Sequence, residues 1–413
     1  MVAMRFDYRD LFRAPRIAFS FQRLWIQFLG ILAGYGGYVV LTYLAFLLAG
    51  ANLGVAWSSY GLVPCPIGMP LPWHSKILFA LGVVFLVYAC LVTSTAVARA
   101  AYMHLKGNNF YTWKEAIRFA LKKKGGAVAA TPIAILVILF FVALGGVVVG
   151  LFGRIPWGIG DVLGVGISLF TILWYAASLF LVFLALALGV SLWLTPAVLA
   201  TTDDDAFEGI FQSFSTLASQ PWRLIVYGGI IKVLSLAGFL VLAFFAKQAW
   251  VVMTRVLAFG MGDKWADISY AASYQLQNWI YPAIEWLRAL PSNLSWAYLV
   301  PQEIIGTELP AVATVSAIVT AVFLVVIGTV VLAYPLAIFN TGSTLLFLAL
   351  KKKKDDENLL ERKDKEEETE EESEKEEEAA DAPEPKGGKK TSSARKPAAR
   401  PKARASGRNP RKK

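Results

Sequence analysis

Cysteine and histidine are nearly absent from this chain of 413 residues, which holds two of each. Cys65 lies in a Pro/Gly-rich stretch and Cys90 in an apolar run, leaving neither a disulfide framework nor a CxxC pair. His74 and His104 fall near opposite ends of one expected helix, too far apart to share a metal ion. Carboxylates are missing from every long apolar run, where a proton- or cation-coupled transporter normally carries one. No nucleotide loop, Ser/His/Asp set or metal cluster is recognisable, and the glycine-rich "GIGDVLGVG" has no strand before it. The sequence thus offers no catalytic constellation and no cofactor, and a non-enzymatic role is expected.

Charge is scarce where the chain is apolar and abundant only at its end. Hydrophobic residues make up 56% and charged residues 17%, and 37 of the 70 charged side chains follow position 350. The rest is too apolar for a water-soluble domain and reads as an all-α integral membrane protein. A helix needs about 20 apolar residues to cross ~30 Å of hydrocarbon. Six runs qualify: 24–49, 77–103, 127–152, 163–201, 223–247 and 311–350. The fourth and sixth approach forty residues, but neither contains a polar turn, so each is expected to be one crossing kinked at its proline, Pro196 or Pro335. The first run has no small-x-small cleavage site and is expected to remain as an anchor.

Lysine and arginine collect on alternate connections. Arg5, Arg9, Arg13, Arg16 and Arg23 precede the first span, Lys106, Lys114, Arg118 and Lys122 to Lys124 follow the second, Arg223 opens the fifth, and "KKKK" (351–354) closes the sixth. The positive-inside rule then places both termini in the cytoplasm, with residues 1–23 as a basic amphipathic segment and 24–350 as the membrane domain of a cytoplasmic (inner) membrane protein. Residues 248–310 form the largest extracytoplasmic segment.

The stretches before the odd-numbered spans share a pattern. "RLWIQFLGIL" (23–32) and "RLIVYGGIIK" (223–232) begin with Arg-Leu, and "WKEAIRFALKKKGGAVAATP" (113–132) and "AFEGIFQSFSTLASQPWRLI" (206–225) both place an acid two residues before Ile. An amphipathic helix followed by a membrane hairpin, used three times over about 8–106, 112–202 and 205–350, would account for this. "DAFEGIFQSFSTLASQPWRLIVYGGII" (205–231) resembles the entry helices of poorly characterised bacterial polytopic membrane families, such as the membrane domain attached to some glycerophosphodiester phosphodiesterases. The resemblance covers roughly residues 105–250 and implies the hairpin layout; no phosphodiesterase domain accompanies it, so it implies no activity.

Lys232, nine residues after Arg223, is the candidate intramembrane charge. Either it snorkels to the interface or it meets an anion or headgroup; Gln27 and Asn340 complete a candidate polar site, with Tyr35 and Tyr38 as further polar company. Of the three aspartates 203–205, one is expected to cap the following helix. Gly30-x-x-x-Gly34 and Gly146-x-x-x-Gly150 are expected to let helices approach closely within the bundle.

Trp265, Ile268, Ala272, Leu276, Trp279, Ala283, Trp286 and Leu290 recur at helical spacing, predicting an amphipathic helix over 264–290 that lies on the membrane, covers the bundle mouth or docks a protein partner. The end of the chain is a polyampholyte. Residues 364–384 carry thirteen acids against two lysines, and 386–413 carry twelve Lys/Arg and no acid. With so little to bury, 351–413 is expected to be a disordered cytoplasmic tail. Arg395, Lys396, Arg400, Lys402, Arg404, Arg408, Arg411, Lys412 and Lys413 suit an anionic partner, nucleic acid or lipid, without sequence specificity. The leading expectation is a binding or scaffolding protein. The alternative is a transporter or lipid-handling protein with a path between the hairpins.

Overall fold

The computed structural model describes residues 4–66, 69–156, 158–280 and 310–362. Its six long helices are α3 (Phe21–Leu48), α5 (Trp73–Lys106), α7 (Gly125–Phe152), α9 (Thr171–Thr202), α11 (Pro221–Met261) and α13 (Ala311–Asp355), each long and apolar enough to cross a membrane. Much of their outward surface is large and apolar, with Phe141, Ile172 and Val252 all exposed, as lipid contact requires. The protein is a multi-pass, all-helical membrane protein.

Short helices punctuate the spans in a recurring order. Two of them, α1 (Tyr8–Leu11) and α2 (Ala14–Ala18), precede α3, while α6 (Trp113–Arg118) precedes α7 and α10 (Ala206–Ser219) precedes α11. A second set lies between the two spans of each hairpin: α4 (Leu53–Tyr60), α8 (Ile159–Leu169) and α12 (Asp263–Trp279). Interfacial helix, entry span, outer helix and exit span therefore follow one another three times. Entry and exit pack as antiparallel pairs, α3 with α5, α7 with α9 and α11 with α13. The exit helices α5, α9 and α13 also touch one another, so they form the centre. Each interfacial helix leans on the exit helix of the preceding hairpin, α6 on α5 and α10 on α9, and α2 closes the circuit on α13.

Local sequence sets these boundaries. Ser20 caps α3 by accepting the Arg23 N–H, and Thr112 and Glu115 form a reciprocal capping box at α6. Pro221 starts α11, where its missing N–H is not needed. Gly107 ends α5 in left-handed backbone. Pro196 and Pro335 each lie inside a single helix, so neither proline divides its run.

Three boundaries differ from expectation. The fourth run is divided, because the glycine-rich 158–166 stretch folds as α8 and the chain restarts at Thr171, whose hydroxyl donates to the Ser168 carbonyl at 2.6 Å. The fifth helix runs on to Met261 rather than stopping near 247, since one lysine does not end a helix while apolar residues continue; Gly262, with φ +65°, does. The amphipathic outer helix is α12, ending at Trp279, and its apolar face is buried against α13, with Ile268 and Ala272 beside Ala317 and Ala321. The remainder of 264–290, from 281 onward, lies outside the described residues.

Glycine spacing behaves differently in its two instances. At Gly30 and Gly34 a Cβ would collide with Thr93 and Ala89 of α5, so close approach depends on them. Gly146 and Gly150 have nothing within contact of an added Cβ, and here the expected packing role is not found.

Candidate functional site

Core side chains concentrate at one end of the bundle, the charged one. The main cluster joins Leu11, Ala14, Tyr102, Leu194, Val198, Ile338 and Leu346 with Leu359 and Leu360, so it draws on α1, α2, all three exit helices and the segment beyond α13. The exit helices share a register here. Thr95…Ala100, Thr195…Ala200 and Thr344…Ala349 repeat the spacing T-x-x-x-x-A, and all six residues are buried. Small, sealed positions of this kind let three helices converge.

Two arginines stitch the converging ends. Arg23 of α3 donates to the Ile17 carbonyl at 2.6 Å and the Ala100 carbonyl at 3.3 Å. Arg99 of α5, 0% exposed, donates to the Ala200 carbonyl at 3.1 Å and lies 4.3 Å from the centre of the Phe119 ring. Ala100 and Ala200 occupy equivalent places in the repeated spacing, so each arginine reaches an exit-helix carbonyl; at Ala200, in the last turn of α9, the unpaired carbonyls and the helix dipole also attract a cation.

Between α6 and α7 the backbone makes a π-helical turn, Phe119–Lys123, closed by the Lys124 N–H donating to the Phe119 carbonyl. The turn delivers two successive lysines to one carboxylate. Asp203 receives Lys124 at 2.8 Å and Lys123 at 2.9 Å, with its own side chain 1% exposed. Burial pushes the Asp203 carboxyl up, but the hydrogen bonds and charges of Lys124 and Lys123 outweigh this and hold it below its ordinary value. Asp203 therefore does not cap α10: it ends α9 in left-handed backbone, while Asp205 occupies the N-cap position without a side-chain cap bond.

The charged face is bound across its whole width. Lys353 pairs with Asp7, Lys354 with Ser215, and Arg362 with Asp204 at 3.5 Å. Lys353 holds the Asp7 carboxyl below its ordinary value by hydrogen bonding and charge. These contacts place the segment before α3, the 106–124 and 203–220 connections and the end of α13 on one face, as an even number of crossings demands. On the opposite face, the Leu62 N–H donates to the Trp279 carbonyl at 2.7 Å.

Beyond α13 the chain turns at Asp356 and re-enters the core. Leu359 and Leu360 are buried, and the Tyr102 hydroxyl donates to the Leu359 carbonyl at 2.7 Å. The root of the charged tail is thus part of the folded body. Arg395 to Lys413 lie outside the described residues.

Of the expected intramembrane site, Gln27 and Asn340 come together: the Asn340 amide donates to the Gln27 Oε1 at 2.9 Å, and both are buried. Lys232 does not join them; it is exposed on α11. Tyr35 and Tyr38 turn to the opposite face, donating to the Leu62 and Pro64 carbonyls. The arginine links and the Asp203 pair were invisible as sites, because their residues read as topological charges and a cap. The repeated T-x-x-x-x-A was the available signal. Among known proteins, no family model, curated protein or solved structure matches this chain.

Proposed function

We propose that the protein is a non-enzymatic platform of the cytoplasmic membrane, with both termini in the cytoplasm, whose rigid charged face presents the tail to anionic partners. One observation carries this reading: the tail root, Leu359 and Leu360, is buried among the exit helices rather than hanging from the last span. A chain leaving from a fixed central point is suited to recruiting a partner to the membrane surface, and the twelve cations of 386–413 suit nucleic acid or anionic lipid. The excess of Lys and Arg on the tail's face supports its cytoplasmic assignment. Passage along the bundle axis is disfavoured, because Arg99, Tyr102 and Leu194 fill the space where the exit helices meet.

The test compares the full chain with one ending at Arg362, each reconstituted in neutral vesicles, for binding of labelled double-stranded DNA, structured RNA and anionic vesicles. The full chain should bind at least one probe, with affinity falling steeply as salt rises, and the shortened chain should not. Equal binding by both would remove the tail from the function. Orientation has its own readout: an impermeant maleimide should label exposed Cys65 on intact cells, whereas a cysteine added after Arg362 should need permeabilisation.

A further inference from the structure

The wall of the bundle between the first and third hairpins is not smooth. A groove of about 350 Å³ opens there, lined by Ile31 of α3, Ser235, Leu236 and Phe239 of α11, and Leu332 and Pro335 of α13. Leu236 and Leu332 are exposed along it, so the groove faces the hydrocarbon. Its surface is apolar; Ser235 lines it, but the hydroxyl oxygen is buried and without a hydrogen-bond partner. Nearer the charged face on α11 and α13, Trp193 packs against Gly228, stacks on Phe339 and donates to the Ser343 hydroxyl at 2.7 Å. A ligand reaches such a groove sideways, from the lipid.

Lys232 completes the arrangement. Lys232, Ser235, Leu236 and Phe239 stand at i, i+3, i+4 and i+7, one stripe of α11, with the lysine at the end nearer the charged face. Lys232 and Lys247 bracket the uncharged run 233–246, and fifteen residues of helix span ~22 Å, less than the ~30 Å of hydrocarbon. With the run centred, Lys232 lies ~4 Å inside the apolar zone, and snorkelling carries its ammonium to the margin, where it meets phosphates. Seven residues, ~10 Å, separate it from Phe239.

We infer that this groove is a phospholipid site, one acyl chain lying between α3, α11 and α13 and the phosphate held by Lys232. An acyl chain fits an apolar wall that would leave a polar solute with unmet hydrogen bonds, and the Lys232 ammonium at one end complements an anionic headgroup. The site does not depend on the tail or on its partners.

Native mass spectrometry of the full chain, with phosphatidylglycerol and phosphatidylcholine supplied separately, tests it. The wild-type protein should retain one lipid with about five-fold preference for phosphatidylglycerol, the effect expected of one lysine near a phosphate. Lys232→Gln should abolish the preference while still binding both lipids, Lys232→Arg should keep it, and Leu332→Trp, which fills the groove, should lower retention of both. A preference that survives Lys232→Gln, or retention unchanged by Leu332→Trp, would overturn the assignment. Lys232 is exposed, so its two variants stay informative even if the tryptophan variant fails to fold.

Discussion

Lys124 and Asp203, seventy-nine positions apart, meet at 2.8 Å with both side chains nearly closed to solvent. The pair joins the start of the second hairpin to its end. A carboxylate in that position, left without its lysines, would be strongly disfavoured, and so would Lys124 without the carboxylate.

Asp203→Asn should therefore destabilise the protein by about 3 kcal/mol, the low end for breaking a buried ion pair, because Lys123 remains partly hydrated. Thermal unfolding in detergent measures this. Adding Lys124→Met to Asp203→Asn should recover part of the loss, because Asn tolerates the left-handed backbone at 203 and no buried ammonium is then left unpaired.

The same pair gives a pH dependence of definite sign. The folded carboxyl titrates below its ordinary value of 3.8, so its stabilisation is complete above that value and disappears as pH falls through the lower, folded one. The melting temperature should drop on acidification below that ordinary value of 3.8, and Asp203→Asn should flatten the drop. An unchanged acid limb would remove Asp203 as its source.

Gln27 and Asn340 tie the first entry span to the last exit span. Substituting either with Leu should cost about 1–2 kcal/mol, and a double-mutant cycle should return a coupling of about 0.6 kcal/mol, with about 1.7 as the ceiling for such bonds in membranes.

Gly30→Ala should destabilise the protein and Gly146→Ala should not. The first drives a methyl into Thr93 and should cost about 1–3 kcal/mol. At the second the methyl meets nothing, and the better helix propensity of alanine should leave stability unchanged or raise it by up to about 1 kcal/mol.

Truncation separates root from tail. Ending the chain at Arg362 should preserve the melting temperature, whereas ending it at Lys354 should lower stability by about 3 kcal/mol through exposure of the pocket for Leu359 and Leu360.

Hydropathy alone determined the six spans, the unbroken helices through Pro196 and Pro335, and the gathering of basic connections on one face. Each depends on local quantities, namely the length of an apolar run and the charge beside it. The Gly30/Gly34 approach was legible because small residues recur at helical spacing, although the identical spacing at Gly146/Gly150 packs nothing; a spacing does not say which side a neighbour occupies. Only tertiary structure decided that Asp203 pairs with Lys123 and Lys124 rather than capping α10, since residue 203 takes its partners from another connection. It also decided that Arg23 and Arg99 bind carbonyls of exit helices, that Leu359 and Leu360 are core, and that Lys232 stands apart from Gln27 and Asn340. In each case the deciding contact lies between helices, and the periodicity of one helix says which residues share a face but not what that face meets.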